Sequence, residues 1–398
     1  MNLTGISAGF ARNRVARLVT TSVFALAFAS PALADCSPDP ATPFGTITCT
    51  GTDADGVTAN VNGVTINVNS GASVAGIRAG SSPTPIAISI NNSGNIQSPA
   101  NESIIGTNTA LFGINSLVNN AGGTIGAIRG SVGSLNNAGT IDGGLFSAVR
   151  VVVGGTPVVV PQFLSNSGTI RSAANDRASI IYITASGAPR SYSLENFGLI
   201  ANNGTGAAMQ AGTFSGTFSI FNSANGVIRS AGSTALIGFE RAIIENEGLI
   251  EGTGDAILLT TTNLAGGQFT VNNYGTINGS IRVQESGGAI ATSVINTTRG
   301  TINGSVFLGS GNDILYTGPG RITGTVDGGA GNDTYQIDYL QNTVVSSGIA
   351  IPTNFERLNI GLGDAVTLTL ANGFALNGTM NLHVAAIRRR LGNGNQQH

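Results

Sequence analysis

The chain has 398 residues, 58 of them Gly and 40 Asn, and only 10% are charged, against the roughly 25% usual for globular domains. All 18 basic residues are Arg, and the two His, His383 and His398, fall at the extreme C-terminal end. The body therefore lacks the imidazoles that Ser-His-Asp and Cys-His catalysis or His-ligated zinc require. Between residues 35 and 384, 12 Arg face 20 acidic residues, a net of −8, which leaves no basic patch for nucleic acid. With 41% hydrophobic residues in a regular pattern, the chain has enough apolar surface to bury a core rather than stay disordered.

At the N-terminus, Arg12, Arg14 and Arg17 precede the apolar run Leu18 to Ala29, and the small-residue site Ala32-Leu33-Ala34 follows. This pattern predicts a secretory signal peptide over 1–34, cleaved between Ala34 and Asp35. Its long charged region also fits a start downstream of Met1. The apolar run is too short for a membrane anchor, which needs about 20 residues.

The only cysteines, Cys36 and Cys49, lie in CSPDPATPFGTITC. An exported chain meets an oxidising compartment, so a structural disulfide is expected between them, stapling an N-terminal cap over residues 35–56. The spacing is not the Cys-x-x-Cys of a redox-active pair.

From residue 57 to 382 one phrase recurs: Asn, a few residues, Gly, then usually one residue and Ile. It runs from NNSGNI at Ile96 through NNAGGTI, NNAGTI, NSGTI, ENFGLI, NSANGVI, ENEGLI and NNYGTI to NTTRGTI at Ile302. The isoleucines recur on average about every 26 residues. Around each phrase side chains alternate with the period of two of a strand, as in FTVNNYGTINGSIRV, interrupted by Gly-bearing bends. No segment of the body sustains a helical period.

These features predict an all-β, right-handed parallel β-helix, a solenoid of stacked coils of about 26 residues. The recurring Ile would form an interior column and the recurring Asn a hydrogen-bonded ladder, with Asn and Gly chosen for tolerance of positive φ at the bend. A sandwich or barrel is the other all-β reading. It calls for hairpin turns every 8–12 residues and no Ile column.

The export signal, the early Cys pair and the run of NNxGTI phrases resemble the passenger domains of bacterial type V autotransporters. The segment GTINGSVFLGSGNDILYTGPGRITGTVDGGAGNDTYQID at 300–338 and NFERLNIGLGDAVTLTLANGFALNGTMNL at 354–382 are similar to the C-terminal part of such passengers. The resemblance implies a secreted or cell-surface β-helical protein followed by an outer-membrane barrel. That barrel is expected but absent from this chain, which ends in the basic segment 383–398 around Arg388, Arg389 and Arg390. A disordered or out-of-frame tail is the expectation for that segment. Without a barrel the location would be periplasmic.

Two constellations carry candidate chemistry. Gly328-Gly329-Ala330-Gly331-Asn332-Asp333-Thr334-Tyr335 fits the G-G-x-G-x-D-x-U phrase of calcium-binding β-roll repeats. Gly309-Ser310-Gly311-Asn312-Asp313-Ile314-Leu315 is an imperfect copy twenty residues earlier. Asp313, Asp333, Asn312 and Asn332 are thus candidate calcium ligands on adjacent coils, since a hard cation takes six to eight oxygens. The plainer reading is two Gly-Asn-Asp bends.

The acidic run Glu245, Glu247, Glu251 and Asp255 could serve a polysaccharide-cleaving site, but only Arg241 is near it and a solvated surface is the simpler reading. No Lys exists for a phosphate loop. The expected function is accordingly an adhesin-like rod with no enzymatic activity, whose partner is a host or neighbouring-cell surface or a second copy. Recognition is expected in the long loops 154–163 and 184–193. A secreted β-helix hydrolase or lyase and a non-functional fragment of a longer gene are the alternatives.

Overall fold

The computed structural model describes residues 36–38, 41–79, 86–97, 104–105, 112–153, 162–176, 178–184, 191–211, 217–262, 267–288, 290–345, 352–370 and 381–386. The expected signal peptide and its cleavage site, the cores of both expected recognition loops (154–161 and 185–190) and residues 387–398 of the expected tail lie outside them. All regular structure among the described residues is β, with no helix, stacked as a parallel solenoid whose turns average about 24 residues. The hairpin-built sandwich is thereby excluded. The turns average fewer residues than the phrase interval because those outside the span Ile96–Ile302 are shorter: Thr46 pairs Thr65, nineteen residues on, and Ile302 bridges Ile322 and Leu315 pairs Tyr335, each twenty residues on.

A typical turn makes one strand in a first sheet, bends at the Asn-Gly phrase, and makes two short strands in a second sheet, which in Leu249–Thr261 and Thr276–Glu285 run together as one. In one turn these are Tyr192–Asn196, Leu199–Asn202 and Met209–Ala211. Every one of them pairs in parallel with its counterparts in the turns before and after. A strand pairs with the next turn and not with its chain neighbour, because a β-arch bend changes direction without bringing the two strands edge to edge. Main-chain N–H and C=O groups are then satisfied along the stack.

Three interior columns form the core. The predicted Ile column is observed: Ile96, Ile125, Ile141, Ile170, Ile200, Ile228, Ile250, Ile277 and Ile302 are in continuous register, and all are buried. A second column on the first sheet runs through Leu164, Leu194, Ile220, Ile244, Val271 and Ile295. A third on the second sheet runs through Val149, Ile180, Met209, Leu236, Ile257 and Ile281. Each such side chain contributes about 1.5–3 kcal/mol through burial. Because the identical slot recurs every turn, β-branched Ile and Val stack on their own kind.

The Asn ladder is also observed. Nδ2 of Asn92, Asn119, Asn137, Asn166, Asn196, Asn222 and Asn246 each donates to Oδ1 of the next ladder Asn at 2.7 to 2.8 Å, ending on Asn273. These amides are no more than 2% exposed. The same Nδ2 of Asn196 also reaches the carbonyls of Gly198 and Val227, so a fully buried amide loses none of its donors to the apolar surroundings. In NTTRGTI the strand stays in register but the Asn of the phrase sits one residue early: Thr297 takes the ladder slot and accepts from Asn273, while Asn296 pairs with Asn272 on the outer side.

The predicted role of Gly at the bend needs correcting. The bend glycines Gly139, Gly168, Gly198, Gly248 and Gly275 do not have positive φ, nor do the ladder Asn. What excludes a side chain is proximity: a Cβ on each would lie 2.1 to 2.2 Å from the bend-glycine carbonyl oxygen of the preceding turn. Close stacking of the bends selects Gly there.

At the N-terminal end, Cys36 and Cys49 form a disulfide, and Cys36–Ser37 runs antiparallel to Thr48–Cys49. This is the only antiparallel pair among the described residues. It covers the first strand of the first sheet, Thr46–Cys49, which already pairs with Thr65–Val68. The solenoid therefore begins inside the segment 35–56 expected to be cap. At the other end, Asn381–Ala386 pairs with Arg357–Leu362, so regular structure continues past the expected boundary at 383.

Candidate functional site

The column that precedes the Leu/Ile column on the first sheet changes character along the stack. Tyr192, Phe218, Ala242, Phe269 and Ser293 follow one another in register, all buried, with Tyr192 and Phe218 stacked at 5.8 Å between ring centroids. The strand residues after Ser293, Asp313, Asp333 and Glu356 are themselves paired, Val294 with Ile314, Ile314 with Thr334, and Thr334 with Arg357. Asp313 and Asp333 thus continue the aromatic column and are fully buried, while Glu356 follows them in register but is exposed. Two interior carboxylates replace interior rings where the turns contract to twenty residues.

One oxygen of each acid is held by the turn before it. Ser293 N donates to Asp313 Oδ1 at 2.5 Å, Asp313 N to Asp333 Oδ1 at 2.8 Å, and Asp333 N to Glu356 Oε2 at 2.7 Å. The other oxygens, Asp313 Oδ2 and Asp333 Oδ2, are buried without a partner. Burial pushes the Asp313 carboxyl up to about 7, reinforced by the charges of Asp333 and Glu285 and opposed by the Ser293 hydrogen bonds. Burial likewise pushes Asp333 up to about 6, with Glu356 and Asp327 adding to it and the Asp313 amide opposing. An ionised carboxylate left in this setting is costly unless something neutralises it.

Of the four predicted ligands, the structure brings together only the two aspartates. Asn312 and Asn332 are exposed and face outward, where Asn332 N donates to Asn312 Oδ1 at 2.9 Å. Adjacent strand residues point to opposite faces, so Asn-Asp neighbours cannot share one interior site through their side chains. Sequence reasoning missed Glu285, Asp327 and Glu356. Glu285 accepts from Ala291 N at 2.5 Å and from the Ser310 hydroxyl. Asp327 accepts from Gly329 N and Asn354 Nδ2 at 3.0 and 2.8 Å. Glu356 lies outside either motif, and only the register of Thr334 with Arg357 reveals its place.

The acidic run does not converge. Glu245 lies half-buried outside the first sheet and Glu247 is exposed at the bend. Glu251 and Asp255 belong to the second sheet, where Asp255 pairs with Arg282 Nε at 3.0 Å. Cys36, Cys49 and Asp53 also cluster, but the sulfurs are joined to each other and offer no thiolate. A cavity of about 550 Å³ opens beside Arg321, Tyr335, Ile337 and Tyr339, where Thr343–Val345 pairs with Leu368–Leu370 in a separate two-stranded sheet. Its rim residues Val345 and Pro352 flank 346–351, which are outside the described residues.

The chain matches no protein-family model, no curated protein and no solved structure.

Proposed function

We propose that the chain is an exported passenger of the autotransporter type, a β-helical rod that works by adhesion at a cell surface and not by catalysis. The observation that carries this reading is a set of large apolar side chains on the outside of consecutive turns. Phe197 and Phe221 meet edge to face at 6.0 Å, and Phe197, Ile243 and Tyr274 are 44%, 47% and 41% exposed. An outward-facing aromatic pair, with further apolar groups on the turns that follow, suits a partner surface. Glu195, Glu245 and Glu247 interleave with them, giving the wall a polar rim.

The mechanism is geometric: stacked turns present a long side wall, and the loops 154–163 and 184–193 would add the specificity. The full chain, expressed with its leader in a Gram-negative host, is expected to be processed after Ala34 and to leave the cytoplasm. The purified product is expected to bind cells or itself, and F197S/F221S to weaken that binding at unchanged fold. Retention in the cytoplasm would remove the export half of the reading. Binding unaffected by both the double substitution and loop deletion would remove the adhesive half, and release of reducing ends from a polysaccharide panel would install a hydrolase in its place.

A further inference from the structure

The two unpartnered oxygens in the interior column call for a positive charge. Five carboxylates, those of Glu285, Asp313, Asp327, Asp333 and Glu356, act on one another across successive turns. Their hydrogen-bond partners are backbone amides, the Ser310 hydroxyl and the Asn354 amide. Among the described residues no arginine is paired with any of the five. Both aspartates already commit one oxygen to the neighbouring turn, so their Oδ2 atoms are fixed in place and free to ligate.

We propose that Asp313 and Asp333 bind one divalent cation, calcium in preference to magnesium, between the two turns they occupy. Residues in register on adjacent strands are about 4.8 Å apart. Calcium accepts oxygens at about 2.3–2.6 Å in flexible geometry, which suits two carboxylates fixed on successive turns, whereas magnesium demands near-ideal octahedral geometry at about 2.0–2.1 Å. Calcium takes six to eight oxygens, so backbone carbonyls and water would have to complete its shell. This site is independent of the adhesive reading, since it lies inside the solenoid and would exist whatever the outer wall binds.

The test uses the full chain, stripped with a chelator and titrated with calcium chloride by calorimetry, alongside D313N, D333N and the control D142N. Asp142 pairs with Arg171 at 2.7 Å in another part of the stack. Wild type and D142N are expected to give a saturable heat and a raised Tm, and D313N and D333N to lose both while keeping their β circular dichroism. Should an aspartate variant fail to fold, terbium replaces it as probe. Emission sensitised by tyrosine in the wild type should be displaced by calcium and should drop in Y316F/Y335F. No heat and no Tm shift in the wild type up to about 10 mM calcium, tenfold above the weakest extracellular sites, would overturn the proposal. Heat retained in both folded aspartate variants, or terbium emission indifferent to the tyrosine substitutions, would overturn it as well.

Discussion

Asn196 and Asn222 stand one above the other in consecutive turns, fully buried, with Asn196 Nδ2 donating to Asn222 Oδ1 at 2.8 Å. Asn222 in turn donates to Asn246 Oδ1 and to the carbonyls of Gly226 and Leu249. Each amide is thus acceptor to one turn and donor to the next, and the ladder has a direction.

Asn222→Ala would leave the Asn246 Oδ1 acceptor without its ladder donor in a dry interior and take from Asn196 Nδ2 one of its three acceptors. An orphaned group costs about 1–3 kcal/mol, so the urea midpoint should fall well below that of the wild type. Asn222→Thr should be milder, because Thr297 already fills the same slot beneath Asn273. Equal midpoints for the alanine and threonine variants would mean the ladder contributes little.

The close approach of the bends gives a contrast within one residue type. A Cβ at Gly198 would lie 2.2 Å from the Gly168 carbonyl oxygen, whereas at Gly254 it meets nothing within 4 Å but sits at φ 87°. Gly254→Ala should cost roughly 1–2 kcal/mol through left-handed backbone strain alone. Gly198→Ala should cost more, because two turns must part. Thermal unfolding of the two variants ranks them directly, and the reverse order would refute the steric account.

Phe218 lies between Tyr192 at 5.8 Å and Phe239 at 5.2 Å, with no exposed surface. Phe218→Ala should destabilise by about 3–5 kcal/mol through lost transfer energy and the cavity left behind. Phe218→Leu should recover much of that, as measured by the denaturant midpoint.

Cys36–Cys49 closes a loop with a sequence separation of 13 over the first strand of the stack. Cys36→Ser with Cys49→Ser should cost about 2–3 kcal/mol. The loss should be local: hydrogen exchange should quicken in Thr46–Cys49 and Thr65–Val68 and stay unchanged near Ile220. A uniform increase along the stack would show that the cap controls the whole solenoid.

Much of this architecture is legible in the amino-acid sequence. The recurrence of Ile with Asn and Gly dictated parallel stacking, since only a solenoid places Ile96 to Ile302 in one column. The reason for the bend glycines could not be read, because positive φ and steric exclusion select the same residue. Gly198 reveals which applies only when Gly168 O is seen beside it. Asn296 likewise carried the phrase and missed the slot, because a one-residue offset reverses every side chain in a strand.

What the amino-acid sequence determined by itself is the repeating element: its period, its apolar column, its amide ladder and the pairing of its only two cysteines. These are legible because each turn presents the same local problem and solves it with the same residues. What only the tertiary structure decided is which unlike residues share a level of the stack. Asp313 and Asp333 turn inward beneath Phe269 and Ser293, Asn312 and Asn332 turn outward, and Glu356 joins from beyond both motifs. The physical reason is register: side chains a turn apart in sequence become neighbours through backbone hydrogen bonds whose alignment depends on the length of every intervening bend.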